Sequence, residues 1–164
     1  MKKFQEIYSF IVDAMLGKIA RKLRILGFDT IYILDKEDRE ILEILIQTKR
    51  ILLTSDKELY QRAKKYNCQS IFINKNTEIE NLVAIFNNLA IKFIDIKLNC
   101  FRCSICNAKL NTIEDPNTIK NEVHRKVFEN NAIFYRCYRC NKLYWSGSHI
   151  KSISLLIEKI NKLL

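Results

Sequence analysis

Three aspartates stand at matching places in the first half of the chain, each at or near the end of a short apolar run. Asp13 follows YSFIV, Asp35 follows TIYIL, and Asp56 follows RILLT after one intervening residue. Because the ends of parallel strands share one edge of a sheet, we expect these carboxylates to converge there, with Asp38 from the next helix able to join them. Grouped carboxylates repel one another, and a bound Mg²⁺ or Mn²⁺ relieves that repulsion. The pattern is that of a metal-dependent nuclease, in which the ion activates a water against a phosphate.

Each of these aspartates also has a simpler interpretation as a helix cap. Asp35 or Asp38 suits the start of a helix over residues 37–48, Asp56 suits a helix over 57–66, and Asp13 precedes a helical pattern as well. A single aspartate at such a place is more typical of a cap. We favour the joint metal site because all three are predicted at the same sheet edge.

Four cysteines in the second half form two CxxC pairs, Cys103 with Cys106 and Cys137 with Cys140. Together they supply four thiolates, the ligand set of a closed, tetrahedral structural zinc site. Two redox-active pairs are the less favoured alternative. Cys100 stands three residues before Cys103 and is a rival partner for it. We prefer Cys103 with Cys106 because CSICNAKL matches CYRCNKLY in placing Asn after the second cysteine.

The chain has a formal net charge of +10, and the excess is concentrated after residue 95. Such a surplus favours a polyanionic partner, above all nucleic acid, although a solubility surface has the same composition. One helical pattern, over residues 14–26, places Lys18, Arg21, Lys22 and Arg24 opposite an apolar stripe. An ordinary solvated face is the alternative for this basic stripe, and it is the favoured one for Arg24 taken alone.

The elements that must position these groups alternate regularly along the first half. Four runs of β-branched and aromatic residues are typical of strands buried on both faces of a parallel sheet. Amphipathic helices are predicted between and after them, over residues 14–26, 37–48, 57–66 and 78–90. This order predicts a three-layer α/β sandwich with right-handed crossovers. A last strand is expected over residues 91–98, and an amphipathic helix, ISLLIEKINKLL, at the end.

No apolar run in the sequence is long enough to span a bilayer. The N-terminal segment has two lysines and some apolar residues, but no small-residue cleavage site follows it. We therefore expect a cytoplasmic protein without a membrane partner.

Two aromatic residues, Tyr144 and Trp145, follow the second CxxC pair directly. They have two interpretations, stacking on nucleic-acid bases or packing of the small core around the cysteines. Packing is the favoured one, because aromatics beside such cysteine turns usually fill the core.

Several motifs in fixed order resemble those of the Mut7-C RNase domain family. They are DAMLGKIARKLRILGFDT, then LLTSDKEL, then the two CxxC pairs, then YWSGSH, from about residue 8 to residue 149. The resemblance implies a PIN-like α/β domain over residues 1–98, a zinc ribbon over 99–149, and an amphipathic helix over 150–164. It also implies a metal-dependent ribonuclease whose ribbon aids RNA binding.

The resemblance assigns roles to particular residues of this chain. Asp13, Asp56 and either Asp35 or Asp38 match the acidic strand ends, with Mg²⁺ or Mn²⁺ expected at Asp13 and Asp56. The basic helix that binds RNA corresponds to Lys18, Arg21 and Arg24. PIN nucleases usually carry a further acid after the fourth strand, where this chain has Asn74. The alternative is therefore a non-catalytic RNA-binding or ribosome-associated protein that keeps the fold.

Overall fold

Four short apolar segments form one parallel sheet in the computed structural model, which describes residues 4–95, 101–145 and 147–164. The strands are β1 (Ser9–Val12), β2 (Asp29–Tyr32), β3 (Ile51–Thr54) and β4 (Ser70–Phe72), in the spatial order β2-β1-β3-β4. Every pairing is parallel, with Ile11 opposite Ile31 on one side and Leu52 on the other. The chain therefore winds outward in both directions from β1, and the strand order reverses between β1 and β3.

Helices cover both faces of this sheet, as the alternating pattern predicts. They are α1 (Phe4–Ile7), α2 (Gly17–Ile25), α3 (Asp38–Thr48), α4 (Lys57–Lys65) and α5 (Glu78–Asn88), with a short 3-10 helix at Ala14–Leu16 before α2. One apolar core lies between the sheet and the α2 and α5 side, and includes Phe10, Leu23 and Phe86. A second core lies on the α3 and α4 side, around Ile11, Leu45 and Leu59. Neighbouring residues of one strand, such as Phe10 and Ile11, therefore pack into the cores on opposite faces of the sheet. The predicted three-layer α/β fold is confirmed.

The cysteine-rich part forms a separate small antiparallel sheet. Its strands are β5 (Leu110–Thr112), β6 (Phe134–Cys137) and β7 (Leu143–Trp145), in that order. A 3-10 helix at Pro116–Ile119 and the short helix α6 (Arg125–Glu129) lie between β5 and β6. We call this part, residues 101–145, the ribbon. The buried group around its cysteines is small and consists of Cys103, Ala108 and Cys137, with Cys106, Leu110 and Tyr144 packed against it.

The last helix, α7 (Ser148–Asn161), returns to the α/β layer. Ile160 is fully buried in the core shared with α5, and the Asn161 side chain bonds both backbone groups of Ile94. The predicted strand over 91–98 is absent from residues 91–95, which form no regular element, while residues 96–98 lie outside the described residues. Ile91 and Ile94 are nevertheless buried. The apolar pattern of this segment therefore reflects burial of side chains in the core, not hydrogen bonding to a neighbouring strand. Within the residues described, every helix is too short or too polar to cross a bilayer.

Candidate active site and zinc centre

Asp13 and Asp56 lie at the carboxyl ends of β1 and β3, on either side of the point where the strand order reverses. Ligands of open α/β sheets bind in the crevice at such a point. Thr54, the last residue of β3, connects the two acids. Its buried hydroxyl donates to Asp13 Oδ2 and accepts the backbone N–H of Asp56 at 2.9 Å. The crevice thus holds two acids whose positions are fixed through one threonine.

Both acids also cap helices, which confirms the simpler interpretation for them. Asp13 Oδ1 accepts the N–H of Met15 at 3.0 Å, and Asp56 Oδ1 accepts the N–H groups of Glu58 and Leu59 at 2.7 and 3.1 Å. Capping leaves acceptor sites free on each carboxylate, because its two oxygens offer about four lone-pair sites. Each Asp13 oxygen has one such bond, and Asp56 Oδ2 has none within the described part of the chain. The two roles are therefore compatible in the same side chains.

The other predicted acids are placed differently. Asp38 begins α3 and forms an ion pair with Arg62 of α4, with 2.9 Å between Oδ2 and the guanidinium. Asp35 is exposed in the loop before α3, and the capping residue of that helix is Glu37. In the described residues, the four cysteines, whose sulfurs lie within 4.8 Å of one another, form the only group of three or more His, Cys, Asp or Glu side chains arranged to hold a metal ion. The expected convergence of three carboxylates is thus reduced to the pair at β1 and β3.

Helix α2, which follows the 3-10 helix capped by Asp13, carries three further cations besides Arg24. Lys18 is exposed and lies 3.5 Å from Glu78 of α5, and Lys22 pairs with the same carboxylate at 2.5 Å. The Lys22 hydrogen bond outweighs burial and lowers the pKa of Glu78. Arg21 is exposed on the same helix. Lys18 and Arg21 are therefore exposed, and their contact with RNA stays a prediction.

Arg24 requires a correction, because it does not lie on a solvated face. Its side chain is 6% exposed, and its guanidinium donates to the carbonyl oxygens of Thr30, Ser104 and Ile105 at 2.9, 3.1 and 2.8 Å. Two of those carbonyls belong to the turn between Cys103 and Cys106. A buried guanidinium with these partners is not presented to RNA, so Arg24 joins the ribbon to α2 instead.

A tetrahedral thiolate site fits the four predicted cysteines. All four sulfurs lie within 4.8 Å of one another, with 3.5 Å between Cys103 and Cys140 and 3.3 Å between Cys106 and Cys137. Zinc–sulfur bonds of about 2.3 Å imply tetrahedral edges of about 3.8 Å, close to these separations. The four cysteines are free thiols, so a disulfide does not compete with metal. Cys100, the rival partner, lies outside the described residues.

The two CxxC turns have the same backbone structure. The N–H of Cys106 points at Cys103 Sγ, and the N–H of Cys140 points at Cys137 Sγ, both at 3.5 Å. Asn107 and Asn141 follow with φ of 68° and 58°, the left-handed region that Asn tolerates well. The repeated Asn after the second cysteine is thus a backbone requirement of each turn.

Hydrogen bonds prepare one thiol for ionisation. Burial opposes the charged form, yet bonds from Tyr144, Cys106 and Ile105 lower the pKa of Cys103 to about 6. Burial and the neighbouring sulfurs raise the pKa of Cys106 to about 12. Four thiols this close cannot all ionise without a cation, and this donor set could bind a metal such as Zn²⁺.

A polar interface joins the ribbon to the N-terminal end of β2, at the edge of the sheet opposite the acidic crevice. Asn107 donates to Asp29 Oδ1 at 2.7 Å and accepts the N–H of Thr30 at 3.0 Å. Arg50 donates to Asp29 Oδ2 at 2.9 Å. Sequence reasoning missed Asn107, Asp29 and Thr54. Only Asn107 has a recognisable sequence signal, because an Asn follows each CxxC pair. Single polar residues at strand ends, such as Asp29 and Thr54, have no such pattern.

The two aromatic residues after the second CxxC pair, Tyr144 and Trp145, lie in different surroundings. Tyr144 packs against the cysteines, and its hydroxyl lies 3.1 Å from Cys103 Sγ and accepts the N–H of Ser104. The packing interpretation is therefore confirmed for Tyr144. Trp145 is half-buried at the end of β7 and lines a groove between the ribbon and α7.

Comparison with known proteins places these features in a family. No curated protein matches the chain significantly. The profile described as the Mut7-C RNAse domain matches residues 8–157, which is nearly the whole chain and includes the acidic crevice, α2 and all four clustered cysteines. The expected resemblance is confirmed, and the chain belongs to the Mut7-C RNAse domain family.

Proposed function

We propose that the protein is a metal-dependent ribonuclease that cleaves RNA at the crevice between β1 and β3. The observation that carries this proposal is the pair of acids, Asp13 and Asp56, tied together by the Thr54 hydroxyl at the strand-order reversal. Membership of an RNAse domain family supports the substrate class.

The residues present fit a hard cation with few protein ligands. Mg²⁺ is commonly bound by one or two carboxylates together with substrate phosphates, so two acids suffice when RNA completes the coordination. When bound by Asp13 and Asp56, Mg²⁺ or Mn²⁺ supplies an activated water and neutralises charge that develops on the phosphate. The Thr54 hydroxyl orients the Asp13 carboxylate, and the caps at Met15 and Glu58 hold both acids in place.

The basic part of α2 would hold the RNA backbone against this crevice. Lys18 and Arg21 lie on the first two turns of the helix that follows Asp13, and both are exposed. Cationic side chains beside the acids offset the repulsion between carboxylates and phosphates. Arg24 is left out of this role, because its guanidinium is committed to the ribbon.

A second candidate function is RNA binding without cleavage. Asn74 is exposed after β4 where PIN nucleases usually carry an acid, and Asp38 is held by Arg62. Both observations lower the number of carboxylates at the crevice. In this alternative, Asp13 and Asp56 act only as helix caps, and the basic surface binds RNA for another purpose.

Cleavage of single-stranded RNA by the zinc-loaded full chain separates the two functions. The assay compares the parent with Asp13→Asn and Asp56→Asn in added Mg²⁺ or Mn²⁺. Asn caps a helix as well as Asp does, so both variants should stay folded. A catalytic ion contributes several kcal/mol, so cleavage should fall by about 100-fold or more in each variant.

Asp115→Asn provides a matched control, since Asp115 caps the 3-10 helix of the ribbon far from the crevice in sequence. It should cleave as the parent does. Variants at Asp13 and Asp56 that are as active as this control would reject the metal site. A parent that binds RNA but cleaves none with either ion would favour the binding function.

A further inference from the structure

A groove of about 780 Å³ runs between α2, the ribbon sheet and α7. Ligand clefts in proteins span about 300–1,000 Å³, so this one has room for a substantial ligand. Asp13, Thr54 and Asp56 do not line it, and the groove is therefore distinct from the acidic crevice. It faces Arg21, on the same helix that leads away from Asp13.

The walls of this groove are largely aromatic and aliphatic. Tyr135 and Tyr144 are cross-strand partners on β6 and β7, and both line it together with Trp145. A Cβ atom on Gly147 would approach the Trp145 indole to 2.9 Å, so the glycine leaves space for that ring. On the α7 side, Leu155 lines the groove and is 58% exposed. These surfaces suit flat, apolar groups such as bases.

The rim of the groove is cationic. Arg21, Lys142 and Lys159 line it, and no Asp or Glu is found among the described residues that do so. The Lys142 ammonium lies 5.7 Å from the centre of the Tyr144 ring, which places a cation directly beside the aromatic wall. An aromatic wall with a basic rim is the combination by which proteins bind single-stranded nucleic acid.

We propose that this groove binds a stretch of single-stranded RNA, with bases against Trp145 and the apolar α7 wall and phosphates at Arg21, Lys142 and Lys159. The identity of the ligand as RNA rests on the proposed function. Asp13 caps the 3-10 helix that leads into α2, and Arg21 of α2 lines the groove, so one helix of nine residues, about 13 Å long, runs between the two sites. The ribbon would therefore select and position the strand, and the crevice would cut it.

The described lining contains five cationic side chains and no carboxylate, and two of the five, Lys22 and Arg102, pair with Glu78 and Asp29 outside it. The other three cations match a polyanion, which favours RNA over an apolar peptide. An acidic peptide has the same charge but no planar rings to stack. It is therefore the competing ligand that the experiment must distinguish.

Trp145 is the only tryptophan in the chain, so its fluorescence reports on this groove alone. The zinc-loaded full chain, carrying Asp13→Asn to prevent cleavage, is titrated with an oligouridine of about eight nucleotides. A glutamate peptide of equal charge is titrated in parallel. We expect saturable quenching by the oligouridine and none by the peptide. RNA binding without a change in Trp145 emission, or equal quenching by the peptide, would overturn the proposal.

Variants test the same groove by anisotropy of a labelled oligouridine. Stacking of one base changes affinity by about 5- to 150-fold, so Trp145→Ala should weaken binding within that range and Trp145→Phe should weaken it less. Each lost phosphate contact removes about 0.7 from the slope of log K against log salt. Lys142→Ala with Lys159→Ala should therefore lower the slope by about 1.4, leaving the apolar wall intact.

Lys64→Ala with Lys65→Ala is the matched control, because both lysines lie in the last turn of α4 and remove the same charge. It should leave the slope near that of the parent. Equal slopes for the two double variants would reject the groove. If the parent cleaves RNA and the groove variants bind RNA as the parent does, the groove proposal is rejected and the ribonuclease proposal stands. If RNA binds in the groove but the parent does not cleave it, the ribonuclease proposal is rejected and the groove proposal stands.

Discussion

Arg24 makes the strongest prediction about how the two parts of the protein are joined. The guanidinium lies at the end of α2, is 6% exposed, and donates to three backbone carbonyls. Two of these carbonyls, from Ser104 and Ile105, lie inside the first CxxC turn. The backbone carbonyl of Arg24 also accepts the N–H of Arg102 at 3.0 Å. Arg24→Ala removes the side-chain part of this junction and leaves a cavity between α2 and the ribbon.

The size of the effect follows from those three hydrogen bonds. A hydrogen bond to a charged group contributes about 1.5–3 kcal/mol net, so three of them give roughly 4–9 kcal/mol. Burial of the charge opposes this, and it is the main reason that the pKa of Arg24 is lowered. We expect a net loss of about 3 kcal/mol in the free energy of unfolding. For a chain of this size, that corresponds to a Tm lower by about 6–12 °C.

Thermal and urea denaturation at saturating zinc measure this loss, and the rate of zinc release to a chelator reports on the CxxC turn. Arg21→Ala is the control, since Arg21 is exposed on the same helix and its loss should cost within about 0.5 kcal/mol. Arg24→Lys keeps the charge but cannot reach both Thr30 and the turn, so it should fall between the two. An Arg24→Ala protein with the midpoint and the zinc-release rate of Arg21→Ala would refute the reasoning.

Three further predictions concern metal, RNA and pH. Cys103→Ser should abolish the one zinc per chain and unfold the ribbon while the parallel sheet stays folded, as measured by elemental analysis and circular dichroism. Lys18→Ala with Arg21→Ala should weaken RNA binding and lower its salt slope by about 1.4, measured by anisotropy at several salt concentrations. Although burial opposes it, the Arg50 hydrogen bond lowers the pKa of Asp29 below its usual 3.8. Its contribution to stability is therefore present above that value and lost as the pH falls through the lowered one, so Asp29→Asn should flatten the pH dependence of urea unfolding below about pH 4.

The architecture could be predicted because its signals are local. Runs such as ILLT are apolar at every position, and this pattern occurs where both faces of a strand are covered. The helices between them have apolar stripes of the right period, and the predicted bounds differ from the observed ones mainly at the ends. The grouping of the four cysteines was likewise predictable, because each CxxC pair is a local turn with its own backbone bonds.

The remaining features depend on contacts between distant parts of the chain. Arg24 lies on the polar side of its helix by sequence period, and it becomes buried only because Ser104 and Ile105 pack over it, 80 and 81 residues away. Asp38 leaves the expected cluster because Arg62, 24 residues away, binds it. The groove beside Trp145 combines three elements that no sequence window contains together. Periodicity carries no information about such pairings.

The most direct test of the central claim is the position of Mn²⁺ in crystals of the zinc-loaded protein, located by its anomalous scattering. We predict one Mn²⁺ at the carboxyl ends of β1 and β3, bound by carboxylate oxygens of Asp13 and Asp56, and lost in Asp56→Asn crystals whose fold is unchanged. Crystals soaked at a Mn²⁺ concentration that supports cleavage, with the crevice free of Mn²⁺ or with the ion bound elsewhere, would contradict the account.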